Sequence, residues 1–96
     1  MIKHIVMWKL KEENKEKNAM KIKNDLEALK NKIEELKSIE VGINFNESEA
    51  AYDVVLYSEF ESKEDLDSYQ NNKDHKEVGA FVRTCVIDRK VVDYIK

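Results

Sequence analysis

The chain contains no proline, only two glycines and a single cysteine. So little punctuation leaves no room for a Gly-rich phosphate loop or a flexible Gly- or Pro-rich linker. One cysteine, Cys85, cannot form an intrachain disulfide, which fits a reducing compartment and sets the expectation of a cytoplasmic protein. No apolar run approaches the roughly 20 residues that a membrane-spanning helix requires. The first residues also lack the basic-then-apolar order of a signal peptide. Neither charge sign dominates: 17 basic and 20 acidic side chains interleave to a net charge of −3. That balance excludes the basic face of a nucleic-acid binder. Two histidines and one cysteine, without ligand spacing, make no metal site. No Ser-His-Asp order, carboxylate pair or nucleotide motif is present, and no cofactor is expected.

What is there is a 96-residue chain, 42% hydrophobic, the size of a single domain spanning 1–96. A domain this small gains from association, because it buries a modest fraction of its surface. The opening stretch is dense in β-branched and aromatic residues. Alternation from Lys3 to Leu10 places Ile2, His4, Val6, Trp8 and Leu10 on one face, with Ile5 and Met7 on the other. Both faces carry apolar side chains, so both need a cover.

After a polar turn, Ala19, Ile22, Leu26, Leu29, Ile33 and Leu36 recur three and four apart, which predicts a helix over Lys15–Lys37 packed on a sheet. Ser38–Asn46 alternates as a second strand. A polar turn leads to a third, Tyr52–Phe60. Ser62 is a suitable N-cap for a helix carrying Leu66 and Tyr69 and ending near Asn71-Asn72. Asp74 is read as the cap of a further helix from about His75 to Val86. Arg89–Ile95 is the fourth strand. The order β-α-β-β-α-β predicts an α+β, ferredoxin-like antiparallel sheet with helices on one face. Ile5, Met7, Val55, Tyr57 and Val91 are the expected residues of the uncovered face.

The opening Lys3-His4-Ile5-Val6-Met7-Trp8-Lys9 resembles the stress-responsive dimeric α/β-barrel (Dabb) family, whose members typically begin His-x-Val-x-aromatic-Lys. The resemblance continues through Tyr69, His75 and Val78 to Arg89, Val91, Val92, Asp93 and Tyr94. It implies a homodimer in which two sheets close a dimeric α/β barrel. In a plant polyketide cyclase branch of that family, a tyrosine and a histidine of the second helical region carry out a cofactor-free aldol ring closure. Tyr69 and His75 stand at the matching positions, and His4 matches a first-strand histidine. Val54 and Leu26 stand where that branch has a histidine and a tyrosine, so its substrate-positioning groups are absent.

His75 is thus the candidate general base, since an imidazole is largely neutral near pH 7. Tyr69 is the candidate donor to a carbonyl, or the residue that orients His75, and His4 is the third catalytic candidate. Trp8, Val54 and Leu26 are the candidate ligand-binding walls. The competing reading makes His75 part of a helix start and His4 a hydrogen-bonded core residue. Asp93 is read as structural, paired with Arg89 or Lys3. The resulting expectation is a homodimer that binds a small apolar or carbonyl-containing ligand between sheet and helices. The alternatives are a non-catalytic stress or assembly protein, or a cofactor-free cyclase or monooxygenase.

Overall fold

The computed structural model describes residues 1–96. The strands are β1 (Ile2–Leu10), β2 (Ser38–Ile43), β3 (Val54–Phe60) and β4 (Val86–Ile95), and the helices are α1 (Lys15–Glu27), α2 (Lys63–Asn71) and α3 (Lys73–Cys85). The strands form one antiparallel sheet in the order β2-β3-β1-β4. This is the expected ferredoxin-like plan. β1 lies between β3 and β4, and its alternate residues Ile2, His4, Val6, Trp8 and Leu10 are all buried. They meet Ala19, Ile22 and Leu26 of α1 and Leu66, Tyr69 and Val82 of the later helices in one core. No helix is long and apolar enough to cross a membrane.

Several boundaries differ from the sequence pattern, among them β3, which begins at Val54 rather than Tyr52. The first helix stops at Glu27 and tightens into a short 3-10 helix, Ala28–Asn31, rather than running to Lys37. A 23-residue helix would be about 34 Å long, nearly the 35 Å of the longest molecular axis, and would leave no chain to return to the sheet. Glu27 instead accepts the backbone N–H of Val41 at 3.0 Å, while Lys23 donates to the Val41 carbonyl at 2.7 Å, so the last turn of α1 is tied to β2. Leu29, Ile33 and Leu36 stay buried, because tight turns share the three-residue spacing of a helix.

β2 ends at Ile43, and Phe45 beyond it is 97% exposed. The cap of α3 is Asn72, whose side chain accepts the Asp74 N–H at 2.8 Å, so the helix starts two residues before His75. β4 begins at Val86, directly after α3, and pairs with the far end of β1. Ser62 does cap α2, accepting the Asp65 N–H at 3.0 Å.

The register also corrects one face. Val91 lies opposite Val6, on the helix side, whereas Val92 lies opposite Ile5. The uncovered face therefore carries Ile5, Met7, Val55, Tyr57 and Val92. Its end is polar, where Lys3 pairs with Glu59 and Tyr57 donates to Glu59 at 2.6 Å.

Because Leu36 is fully buried outside any helix, Leu36→Ala is expected to cost about 2–5 kcal/mol. Lys30→Ala, on the exposed side of the same segment, should stay within about 0.5 kcal/mol. Urea denaturation at fixed protein concentration measures both. Equal effects would mean that this segment does not pack as described.

Candidate functional site

The candidate site follows from two periodicities. Along β1, His4, Val6 and Trp8 face the helices. Along α3, His75, Gly79, Val82 and Arg83 recur three and four apart, on one helix face. Between them lies a cleft of about 260 Å³, also lined by Leu26, Leu56, Gln70, Val86 and Arg89. Larger hollows of about 490 and 570 Å³ flank the loop between β2 and β3. They contain no histidine and open broadly to solvent, so both histidines belong to the smaller cleft.

His4 is 2% exposed, and its Nδ1 bonds to the Asp93 carboxylate directly across the strand pair. Asp93 therefore pairs with His4, not with Arg89 or Lys3. In the neutral ring, a carboxylate on Nδ1 holds the proton there and leaves Nε2 as the acceptor. Behind the cleft, aromatic rings form a chain. Phe60 and Tyr69 have centroids 4.9 Å apart, and Tyr69 and His75 are 4.4 Å apart.

Two buried polar atoms in this chain have no hydrogen-bond partner, Tyr69 Oη and His75 Nδ1. Orphaned buried groups are rare, because each forfeits its hydration without replacement. Burial pushes the His75 pKa below its ordinary value, and repulsion from the Arg89 and Arg83 guanidiniums, and from His4 whenever it carries a proton, adds to this. The Gln70 carbonyl pulls the other way, without closing a hydrogen bond on Nδ1. Burial alone drives the Tyr69 phenol well above its usual range, so it stays protonated.

Of the six candidates named from sequence, His4, His75, Trp8 and Leu26 line the cleft. Tyr69 does not. It is fully buried behind the cleft, its ring packed against that of His75. Val54 is buried in the sheet beside Trp8 and borders the hollow at the β2–β3 loop instead. The pattern missed Arg83, Arg89 and Gly79. Exposed arginines read as solvated surface, and the available signal was scarcity: they are the only two arginines among 17 basic residues. No group of three His, Cys, Asp or Glu side chains is placed to hold a metal ion.

The His75 shift has a direction for stability. The unfolded chain takes up a proton near pH 6.5, above the folded value, so stability is full above that pH and falls as pH drops through the folded pKa. Thermal melts from pH 7.5 to 5 should show this loss, and His75→Gln should remove part of it. A second expectation concerns the orphaned phenol. Tyr69→Phe deletes an unpaired buried hydroxyl, so it should be neutral or stabilising by up to about 1–3 kcal/mol. A clear loss would mean that the hydroxyl has a partner.

The family model described as "Stress responsive A/B Barrel Domain" matches residues 2–96. A dimeric protein of ferredoxin-like fold from Bacteroides fragilis is 35% identical over 97% of this chain and 93% of its own, with a TM-score of 0.90. A dimeric ferredoxin-like protein from Thermobifida fusca is 21% identical over 99% and 90%, with a TM-score of 0.88. A hydroxynitrile lyase from Passiflora edulis is 22% identical over 99% and 92%, with a TM-score of 0.87. The last two likenesses are of fold. No curated protein matches the sequence.

Proposed function

The chain belongs to the stress-responsive A/B barrel domain family, and on that premise we propose that it is a single-domain homodimer whose helix–sheet cleft binds a small carbonyl compound and does acid–base chemistry on it. The observation that carries the reading is the buried, unpartnered Nδ1 of His75 beside a cleft it shares with an aspartate-held His4. A neutral imidazole with an unpartnered nitrogen is a proton acceptor in waiting. His75 is the proposed base, His4 Nε2 the second polar contact, and Tyr69 the residue that orients His75. Val6, Trp8, Leu26 and Leu56 supply apolar walls that exclude water from the occupant. The hydroxynitrile lyase shows that this fold supports an enzyme.

The dimer rests on the uncovered face. Met7 and Val55 are each 38% exposed and Val92 is 57% exposed, a set of neighbours that a second sheet removes from water. The similar Bacteroides fragilis protein is dimeric. Both readings leave Cys85 as a buried, unpaired thiol suited to a reducing cytoplasm.

The test of the cleft is a screen of single-ring and short-chain ketones and aldehydes by NMR, followed on His75→Gln. Binding or turnover is expected in the natural protein, with at least a tenfold loss in the variant and an unchanged fold by circular dichroism. A variant that binds normally and is merely less stable removes the reading, in favour of a non-catalytic protein. The dimer is tested separately. Ile5→Asp, at the centre of the uncovered face, is expected to sediment as a monomer where the natural protein sediments as a dimer. A dimer that persists would place the interface elsewhere.

A further inference from the structure

The cleft's mouth is cationic in a protein that is otherwise acidic. Net charge is −3, yet the only two arginines, Arg83 on α3 and Arg89 on β4, both line this one cleft. No carboxylate lines it. Neither guanidinium takes part in any of the ion pairs of the fold. The lysines of α1 behave differently: Lys21 and Lys23 find Asp25 and Glu27 one turn away. Arg83 has no acidic residue three or four positions away on either side, and Arg89 is paired across the sheet with Trp8. Asp88, next in the chain to Arg89, points to the opposite face and accepts from Tyr52. Gly79 completes the arrangement. A Cβ there would stand 3.4 Å from Arg83 Nη1, so the guanidinium folds back over a bare stretch of helix at the cleft.

Two free guanidiniums over an apolar cleft are a fork for an anion, because the planar N–H pair matches a carboxylate in geometry as well as charge. In an acidic protein, the local field at that mouth is also where anions concentrate. We propose that the cleft's natural occupant is a small organic acid, its carboxylate held by Arg83 and Arg89 and its apolar body lying against Trp8, Leu26 and Val82. The size of the cleft, about 260 Å³, suits one ring or a short branched chain. This inference rests on the cleft being a ligand site and adds the ligand's charge. A keto acid satisfies both, placing its carboxylate at the arginines and the acidic C–H beside its carbonyl toward His75.

The experiment compares matched probes on the full chain: phenylacetate and 4-methylpentanoate against phenylacetamide and 4-methylpentanamide, titrated by NMR. The acids are expected to bind at least tenfold more tightly than the amides, with chemical-shift changes at Gly79 and His75. Arg83→Gln and Arg89→Gln should each weaken the acids about tenfold or more and leave the amides unchanged. Arg83→Lys, which keeps charge but not the fork, should fall between. Lys90→Gln, which removes an exposed charge from the other face of β4, should have no effect. Acids and amides that bind alike, with binding lost only in His75→Gln, would overturn the anion assignment and leave the ligand site standing. No binding by either class at the cleft, with the fold intact, would overturn both. Equal loss in Lys90→Gln would reduce the effect to net charge and overturn the assignment.

Discussion

The pairing of β1 with a neighbour on each side is the constraint on which the rest of the structure depends. A strand in that position has every backbone group engaged and two faces to dispose of. One face is covered by the helices and becomes the core. The other cannot be covered by a chain of this length, and its apolar residues remain at the surface. The same strand that fixes the sheet thus delivers His4 to the cleft on one side and Ile5 and Met7 to the uncovered face on the other. His4, at the proposed site, and Ile5, on the proposed association surface, are consecutive residues of one element.

The cleft exists because the helical layer is imperfect. α2 and α3 are separate helices joined at Asn72, a residue that closes one and caps the next. That junction carries His75 into the first turn of α3, where its ring lies against Tyr69 near the end of α2. Fully packed helices would bury the imidazole in hydrocarbon. Here it is half-buried, and that burial favours its neutral form. Asp93 acts on the other imidazole. Across the strand pair from His4, it supplies a fixed partner at no cost in flexible side-chain reach.

Most of the architecture was legible because it depends on periodicity. Alternation in β1 assigned His4 and Trp8 to the buried face correctly, and Ser62 marked a helix start by its chemistry. The end of α1 was not legible, because Leu29, Ile33 and Leu36 keep helical spacing while the backbone tightens and turns, and no glycine or proline marks the change. Val91 and Val92 were exchanged for a related reason. Both are β-branched, both are exposed, and only the register with β1 distinguishes their faces. The site was half legible. Histidines are conspicuous in a chain with two of them, but Tyr69 and Val54 were placed at the cleft by resemblance, and packing puts both behind or beside it. The arginines carry no periodic signature at all. Their significance lies in which carboxylates they do not meet, a property of three-dimensional neighbours.

β4 has one further consequence. It is an edge strand of ten residues whose outer hydrogen-bonding groups have no partner in this chain. Its sequence Val91-Val92-Asp93-Tyr94-Ile95 is the kind of β-rich segment that adds to another copy of itself. The one charge in that run is Asp93, the residue that holds His4. The same carboxylate that orients an imidazole thus also interrupts a self-templating edge. An isolated protomer that lost this acid would therefore present an uncharged β-rich edge as well as a His4 without its partner.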